Sequence, residues 1–420
     1  MIQIEAEVQG VPRQEQKPVL TIFFQFNPWG SGIGGIDTLI RSYVKYAPEV
    51  FRVRIVGIGD PTEAVGKWRT TELEGRRIEF LPLFLQSDGN IKPRVPNSLR
   101  YTMALAGLDL SSDFMHFHRI EPGLVCRQWR GEKTLFFHMD IENQLHGSGG
   151  PNEFLWRRFP RGYLAFERMM IGRFDRVLEC NSASLAFHQH RYPKLAHRFS
   201  PVRNCVDTDT YFPLEPEVRD AGRRQLARSL GLVAETRFIL FAGRLQPVKD
   251  PLLLLRAVAA IDRSPIHLLL AGEGNMRPAV ETEIVKLGLR GKVSLLGAQD
   301  QSSLGKLQRA ASVFALTSAF EGLPLVVLEA LASGTPVVTT RAGETPSLIL
   351  EGSGVVCEER STEAIARGLR HVLDQPHLYP ASRCVEAAEP YAARSVLREV
   401  FQQMLARWKA PDRKSPRAVA

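Results

Sequence analysis

The sequence predicts an α/β protein built from two doubly wound, Rossmann-like units that face each other across a cleft. Three observations carry that expectation. The chain has 420 residues, beyond the ~250–300 at which a single hydrophobic core stops growing. In each half, short apolar runs rich in branched and aromatic residues alternate with stretches of helical spacing, the pattern of βαβ units around a mostly parallel sheet. Between the halves, Asp207 to Glu217 contains Pro213 and Pro216 and little apolar periodicity, which reads as a junction.

Val19 to Phe26 is an apolar run that ends at Asn27-Pro28, a buried strand feeding a loop. Gly30, Gly32, Gly34 and Gly35 punctuate that loop, and Asp37 to Tyr46 has helical spacing. Further strands are expected at Val53 to Ile58, Ile78 to Pro82, Phe114 to His118, Leu135 to His138 and Val177 to Cys180. The second half restarts with a strand at Phe238 to Ala242 and a helix at Pro251 to Ile261. Strands follow at His267 to Ala271, Val293 to Leu296, Val313 to Leu316 and Pro336 to Thr340, with helices at Ala279 to Leu287, Ser303 to Ala310 and Pro324 to Ala332 between them. Glu389 to Trp408 reads as one long final helix crossing back to the first unit, and Lys409 to Ala420 as a disordered basic tail. The expected domains are therefore 1–206, 207–388, the helix 389–408 and the tail 409–420.

Hydrophobic residues make up 44% and charged residues 24% of the chain, a balance that excludes disordered and membrane-spanning classes. No apolar run reaches the ~20 residues that cross a bilayer. The polar start with Glu5, Glu7 and Glu15 lacks a signal-peptide core, so a cytoplasmic location is the default expectation. Cys126, Cys180, Cys205, Cys357 and Cys384 are scattered without zinc spacing, which predicts reduced, buried thiols. The formal charge is +9. From Arg157 to Arg203 there are ten Lys or Arg against three acids, Glu167, Asp175 and Glu179, with Phe154, Trp156 and Phe159 at the start of that stretch. Two readings stand: a face at 154–203 for anionic lipid at the inner surface of the membrane or an anionic acceptor, or a solvated helix face. No nucleic-acid-binding module accompanies the charge.

The glycines from Gly30 to Gly35 lie between a strand and a helix, where backbone N–H groups and a positive helix end suit a phosphate or a hydroxyl-rich ligand. The spacing is not a clean G-x-G-x-x-G, which argues against a nicotinamide cofactor; an ordinary tight turn is the plain alternative. Gly243-Arg244-Leu245 ends a strand and Lys249 follows five residues after Arg244. A guanidinium and an ammonium at the carboxyl end of a parallel strand can clamp a diphosphate and neutralise a leaving group without a metal. Glu321 sits in a glycine-containing loop before a helix, and Glu329 lies further along among apolar residues. A carboxylate there is costly to bury unless something donates to it; a ribose diol would, and a partly exposed structural glutamate is the alternative. His138 closes an apolar run at the expected end of a strand, with Asp140 close by, and His116 and His118 resemble it; an isolated histidine in such a place is more often a satisfied core group than a ligand contact.

In order, Gly243-Arg244-Leu245 with Lys249, Ala271-Gly272-Glu273-Gly274, Gly297, Glu321 and Glu329 with seven residues between them, Gly334-Thr-Pro-Val-Val338 and Ala342-Gly343-Glu344 resemble the retaining GT-B glycosyltransferases of family 4, the glycosyl transferases of group 1. Gly34-Gly35, His138 and Asn204-Cys205-Val206-Asp207 carry a thinner likeness in the first half, so that about residues 20–405 are covered. The resemblance implies a metal-independent, retaining hexosyltransferase (EC 2.4) with no resident cofactor, which takes a UDP- or GDP-sugar as substrate. Arg244 and Lys249, with Gly243, would hold the diphosphate, and Glu329 the ribose hydroxyls. Glu321, Gly322, Leu323 and Pro324 would meet the donor sugar and phosphate. His138 would assist beside the reacting sugar, and Gly34 and Gly35 would approach the diphosphate. Three departures stand out: Cys205 replaces a glycine, Glu344 replaces the second glycine of its turn, and Ser347 stands near a usual glutamate.

The acceptor implied is a glycan or lipid-linked sugar, as in bacterial surface or exopolysaccharide biosynthesis. The alternatives are a soluble sugar-phosphate or disaccharide synthase of the same fold, a non-catalytic nucleotide-sugar-binding protein, and an epimerase that shares the architecture.

Overall fold

The structure, a computed structural model, describes residues 17–30, 34–60, 64–85, 95–138, 160–261 and 265–410. Asp140, Gly32, Phe154, Trp156 and Phe159 lie outside the described residues, as do the first sixteen and last ten positions.

The first sheet has eight strands: β1 (Val19–Phe23), β2 (Arg52–Gly59), β3 (Arg69–Leu73), β4 (Arg76–Leu85), β5 (Phe114–Phe117), β6 (Glu132–Phe137), β7 (Arg176–Glu179) and β8 (Phe199–Pro201). Their order is β3-β4-β2-β1-β5-β6-β7-β8, and only β3 runs antiparallel to its neighbour. The β3–β4 turn places both Glu74 (φ 52°) and Gly75 (φ 70°) in the left-handed region, as a two-residue hairpin whose twist matches its strands requires. Sequence reasoning missed β3 because Arg69–Leu73 is polar and lies at the sheet edge. The helices of this unit are α1 (Gly35–Tyr46), α2 (Asn97–Leu105), α3 (Pro160–Ile171) and α4 (Ser182–Arg191). One face of the sheet packs against α1 through Leu39, Ile40, Tyr43 and Val44; the other packs against α3 through Tyr163, Met170 and Ile171.

The second unit runs α5 (Pro216–Ser229), β9 (Arg237–Ala242), α6 (Pro251–Ala259), β10 (Ile266–Ala271), α7 (Arg277–Lys286), β11 (Val293–Gly297), α8 (Gln301–Ala310), β12 (Val313–Leu316), α9 (Leu325–Ala332), β13 (Val337–Thr340), α10 (Thr345–Leu348), β14 (Gly354–Cys357), α11 (Thr362–Asp374) and α12 (Ala381–Ala388). Its six strands are all parallel, in the order β11-β10-β9-β12-β13-β14. Strands leave β9 in opposite directions through β10 and β12, so the crevice for a ligand opens at the carboxyl ends of β9 and β12. In the first sheet the same reversal falls between β1 and β5.

The chain returns to the first unit through α13 (Ala393–Lys409). The expected helix from Glu389 is broken: Glu389–Tyr391 is a separate short turn, and Ala392 is drawn into a backbone bridge with Val206. Val206 N–H donates to Tyr391 O at 2.9 Å and Ala393 N–H to Val206 O at 2.8 Å, so the two chain crossings between the units lie side by side. Beyond them Val396, Leu397, Phe401 and Met404 of α13 join the first core. Lys409 belongs to that helix, not to a tail. Among the described residues no helix is long and apolar enough to cross a membrane. All five cysteines are buried and unpaired.

Candidate active site

At the carboxyl end of β9 the chain turns through Gly243 and meets Gly272, whose φ is +156°. A Cβ on Gly272 would lie 1.9 Å from Gly243 O, so only glycine lets the Ala271-Gly272-Glu273-Gly274 segment pass under Gly243 to Leu245. Leu245 N–H donates to Glu273 O at 2.9 Å and fixes that crossing. Arg244 stands exposed on the loop and makes no ion pair among the described residues. Lys249 follows, its loop tied down by Thr317 Oγ1, which donates to Lys249 O at 3.1 Å and to Asp250 O at 2.9 Å.

After β12 comes Glu321. Lys249 Nζ lies 2.6 and 2.8 Å from its two carboxylate oxygens, and Ser318 Oγ donates to one of them. Glu321 lies in the loop before α9, four residues ahead of its first residue, as expected, which leaves Gly322, Leu323 and Pro324 at the positive end of that helix. Gly343, with φ +54°, crosses behind: a Cβ there would meet Glu321 O at 1.9 Å. The loops after β9, β12 and β13 thus converge on the crevice at the strand reversal.

Glu329 is 4% exposed on α9, whose other buried positions are apolar. Its Oε2 has no hydrogen-bond partner. Burial pushes its carboxyl up to about 7, with partial relief from the Tyr211 hydroxyl. That shift corresponds to on the order of 3 kcal/mol against the ionised form, a cost a hydroxyl-bearing ligand could remove.

On the first unit, Gly34 caps α1 and a Cβ on Gly35 would lie 3.6 Å from Leu325 Cδ1, so this helix start faces that of α9. Asp37 sits in the first turn of α1; burial raises its carboxyl to about 6, opposed by Arg41, the Gly34 amide and Arg244. Sequence reasoning missed Asp37 as a site residue, although an acid three residues after a glycine at a helix start is a recognisable signal.

His138 follows β6, and its carbonyl oxygen lies 3.3 Å from where a Cβ on Gly322 would stand. The two units therefore meet at His138 and Gly322. The His138 ring faces its own unit: Nε2 is 2.8 Å from His118 Nδ1, and Nδ1 is 3.8 Å from Cys180 Sγ. Burial, reinforced by Arg119, lowers His138 to about 3, and burial with His138 and His116 beside it keeps His118 neutral as well. The expected position of His138 at the end of a strand by the cleft is observed, while both ring nitrogens are engaged by first-unit side chains. His116 is a core residue, packed edge-on against Tyr43 at 5.6 Å between ring centres.

Glu344 ties the units together. Its carboxylate accepts from Ser182 N–H at 2.8 Å and Ser182 Oγ at 2.6 Å, at the start of α4, while its own N–H donates to Gly322 O at 3.0 Å. Asn204 Nδ2 donates to Leu323 O at 3.1 Å. Ser347, by contrast, turns its hydroxyl back onto Glu344 O at 2.7 Å. Among the described residues no group of three or more His, Cys, Asp or Glu is arranged to hold a metal ion.

Comparison with known proteins places this geometry. Residues 222–390 match the family described as glycosyl transferases group 1. A D-inositol 3-phosphate glycosyltransferase of Corynebacterium glutamicum is 34% identical over 217 residues, 50% of this chain and 51% of that protein; the chain spans about half the length of the curated relatives it matches. Sucrose-phosphate synthase from Thermosynechococcus elongatus superimposes with a TM-score of 0.76 at 17% identity, covering 93% of this chain and 99% of that one. Anabaena HepE in complex with UDP-glucose gives 0.68 at 18% identity, covering 93% and 100%. The two-unit architecture is the GT-B fold.

Proposed function

Because residues 222–390 match the glycosyl transferases of group 1, we propose that the chain transfers a sugar from a nucleoside-diphosphate donor to a hydroxyl acceptor with retention of configuration and without a metal. The observation that carries this reading is the unpartnered Glu329 Oε2, buried on α9, the helix that follows the Glu321 loop to which Lys249 is bound. A ribose diol would satisfy the carboxylate, and the two cations would receive the diphosphate. HepE, whose structure holds UDP-glucose, supports a UDP-sugar as donor.

In this reading the donor's C1–O bond to phosphate breaks as the acceptor oxygen bonds to C1 on the same face, and the acceptor proton passes to the departing phosphate. Arg244 and Lys249 stabilise the charge that develops on the diphosphate, and the amides of Gly322 and Leu323 at the start of α9 add to it. Glu321, fixed by Lys249 and Ser318, presents a carboxylate to the sugar. Gly34 and Gly35 close the cleft from the first unit, and His138 lines it at the Gly322 contact. The acceptor proposed is a glycan or lipid-linked sugar.

Calorimetric titration with UDP, GDP and ADP in the absence of divalent metal tests the donor site. Selective binding of UDP that is lost in Arg244→Ala is expected. Binding of none of the three would overturn the reading, as would inverted anomeric configuration of the product by NMR for the retaining step.

A further inference from the structure

A cavity of about 710 Å3 lies on the far side of the first unit, between the β5–β8 part of the sheet and α13. Its origin is topological. The connection carrying α3 covers the opposite face, where Tyr163, Met170 and Ile171 pack on Phe117, Leu135 and Val177. The face that carries His116, Thr134 and Leu178 is shared by α1, whose Tyr43 packs on His116, and α13, and α13 does not fill the space over this part of the sheet.

The lining is strongly one-signed. Arg176, Arg203, Arg398 and Arg407 point to this space against a single lining acid, Glu399. Arg407 is neutralised by Glu132, at 2.8 and 2.9 Å. Arg176, Arg203 and Arg398 form no ion pair among the described residues. Burial depresses the Arg176 guanidinium and the Arg407 charge adds to it, with Glu132 opposing. His116, 3% exposed on the wall, leaves Nδ1 without a partner. A concave site with unmatched guanidinium groups is suited to bidentate recognition of phosphate, and its volume is in the range of small-ligand pockets. Arg203 and Pro390, both on the lining, flank the bridged crossings at Val206 and Ala392.

We propose that this cavity binds a phosphate-bearing anion, at a site separate from the cleft and set against the two crossings that join the units. The phosphate belongs either to a free metabolite or to a lipid headgroup; the recognition chemistry is the same. An anion bridging Arg203 before one crossing and Arg398 after the other would couple its occupancy to the angle between the units.

The test uses the full chain with inorganic pyrophosphate as probe, in calorimetric titrations. The cleft is disabled by Arg244→Ala with Lys249→Met, and the cavity by Arg203→Gln with Arg398→Gln, two exposed positions whose change leaves the core intact. Pyrophosphate binding is expected to persist in the cleft variant and to weaken at least tenfold at that site when the cavity changes are added. UDP binding should be unchanged in the cavity variant alone, so failure here is distinguishable from failure of the donor site. Absence of pyrophosphate binding in the cleft variant, or binding unaffected by the cavity changes, would overturn the proposal. Sedimentation with phosphatidylglycerol vesicles, using phosphatidylcholine as control, separates the sources. Co-sedimentation lost in the cavity variant assigns the phosphate to a lipid; soluble binding without co-sedimentation assigns it to a free metabolite.

Discussion

Lys249 Nζ is held by both carboxylate oxygens of Glu321, at 2.6 and 2.8 Å, across 72 residues of chain. The pair joins the loop after β9 to the loop after β12, the two strand ends between which the sheet reverses. It therefore positions the crevice before any ligand enters it.

Removing one partner should separate two roles. Lys249→Met leaves Glu321 nearly buried without its cation, at a cost of roughly 1–3 kcal/mol, and removes one of the two cations proposed to receive the diphosphate. A fall in melting temperature of a few degrees is expected, together with a loss of at least ~100-fold in kcat/KM. Glu321→Ala should lower kcat far more than nucleotide affinity, and Glu329→Ala the reverse. Steady-state kinetics alongside UDP titration decide this; equal effects of the two glutamates on both quantities would remove the division of labour.

Glu329 predicts a pH dependence of opposite sign for binding and for stability. Its folded carboxyl lies near 7, above the ordinary value of 4.5, so the folded state holds a proton that the unfolded chain has lost between those values. Stability from this group is full below about 4.5 and declines as pH rises through 7. Glu329→Gln should therefore raise the melting temperature at pH 8 and leave it nearly unchanged at pH 4.5. A diol that donates to the carboxylate favours the ionised form, so nucleotide affinity should fall by up to tenfold per unit below about pH 7. Calorimetry at pH 6 and pH 8 measures this, and the dependence should vanish in Glu329→Gln; its persistence there would place the titrating group elsewhere.

The second unit was legible because its strands are continuous apolar runs, its loops carry glycines, Arg244, Lys249 and Glu321 at fixed places along them, and Glu329 stands alone on an apolar helix. What periodicity could not reveal were partners distant in sequence: Lys249 with Glu321, or the His118–His138 contact that turns the ring inward. The strands β8 and β14 escaped notice as sheet-edge strands, the first only three residues long and the second mostly half-exposed, and the final helix was misjudged because Pro390 and the Val206 bridge interrupt an otherwise continuous helical pattern. Charge counting from Arg157 to Arg203 treated three acids as surface groups. Two of them, Glu167 and Glu179, are in fact interior, at 0% and 2% exposure.

Those two glutamates enclose His188, with Nδ1 at 2.6 Å from Glu179 Oε1 and Nε2 at 3.4 Å from Glu167 Oε1. Burial opposes a charge on the ring, but the hydrogen bonds and charges of Glu167 and Glu179 outweigh it and raise His188 to about 9. The resulting stabilisation is fully present below 6.5 and is lost as pH rises through 9. The wild-type melting temperature should drop between pH 7 and pH 10. His188→Gln leaves two acids in the core with no cation and should cost roughly 3–5 kcal/mol at pH 7, with a flatter alkaline profile. A profile as steep as wild type would show that another group governs the alkaline transition.

Glu344 supplies the last prediction, since it holds the second unit to the start of α4 in the first through Ser182 N–H and Oγ, at 2.8 and 2.6 Å. Its partner Ser182 is a backbone donor at a helix start, where a carboxylate gains from both the free amide and the dipole. The contact is exposed, so its loss should shift global stability by no more than about 1 kcal/mol. Its effect falls instead on the angle between the units, because the other side of the same turn donates to Gly322, which abuts His138. Glu344→Ala should raise the radius of gyration measured by scattering without nucleotide and weaken donor binding by a few-fold, with the melting temperature within a degree or two of wild type. Ser182→Ala removes only the hydroxyl half of the contact and should give a smaller change in the same direction. A Glu344→Ala protein with unchanged dimensions and unchanged donor affinity would mean that the Val206–Ala392 crossings alone set how the units meet.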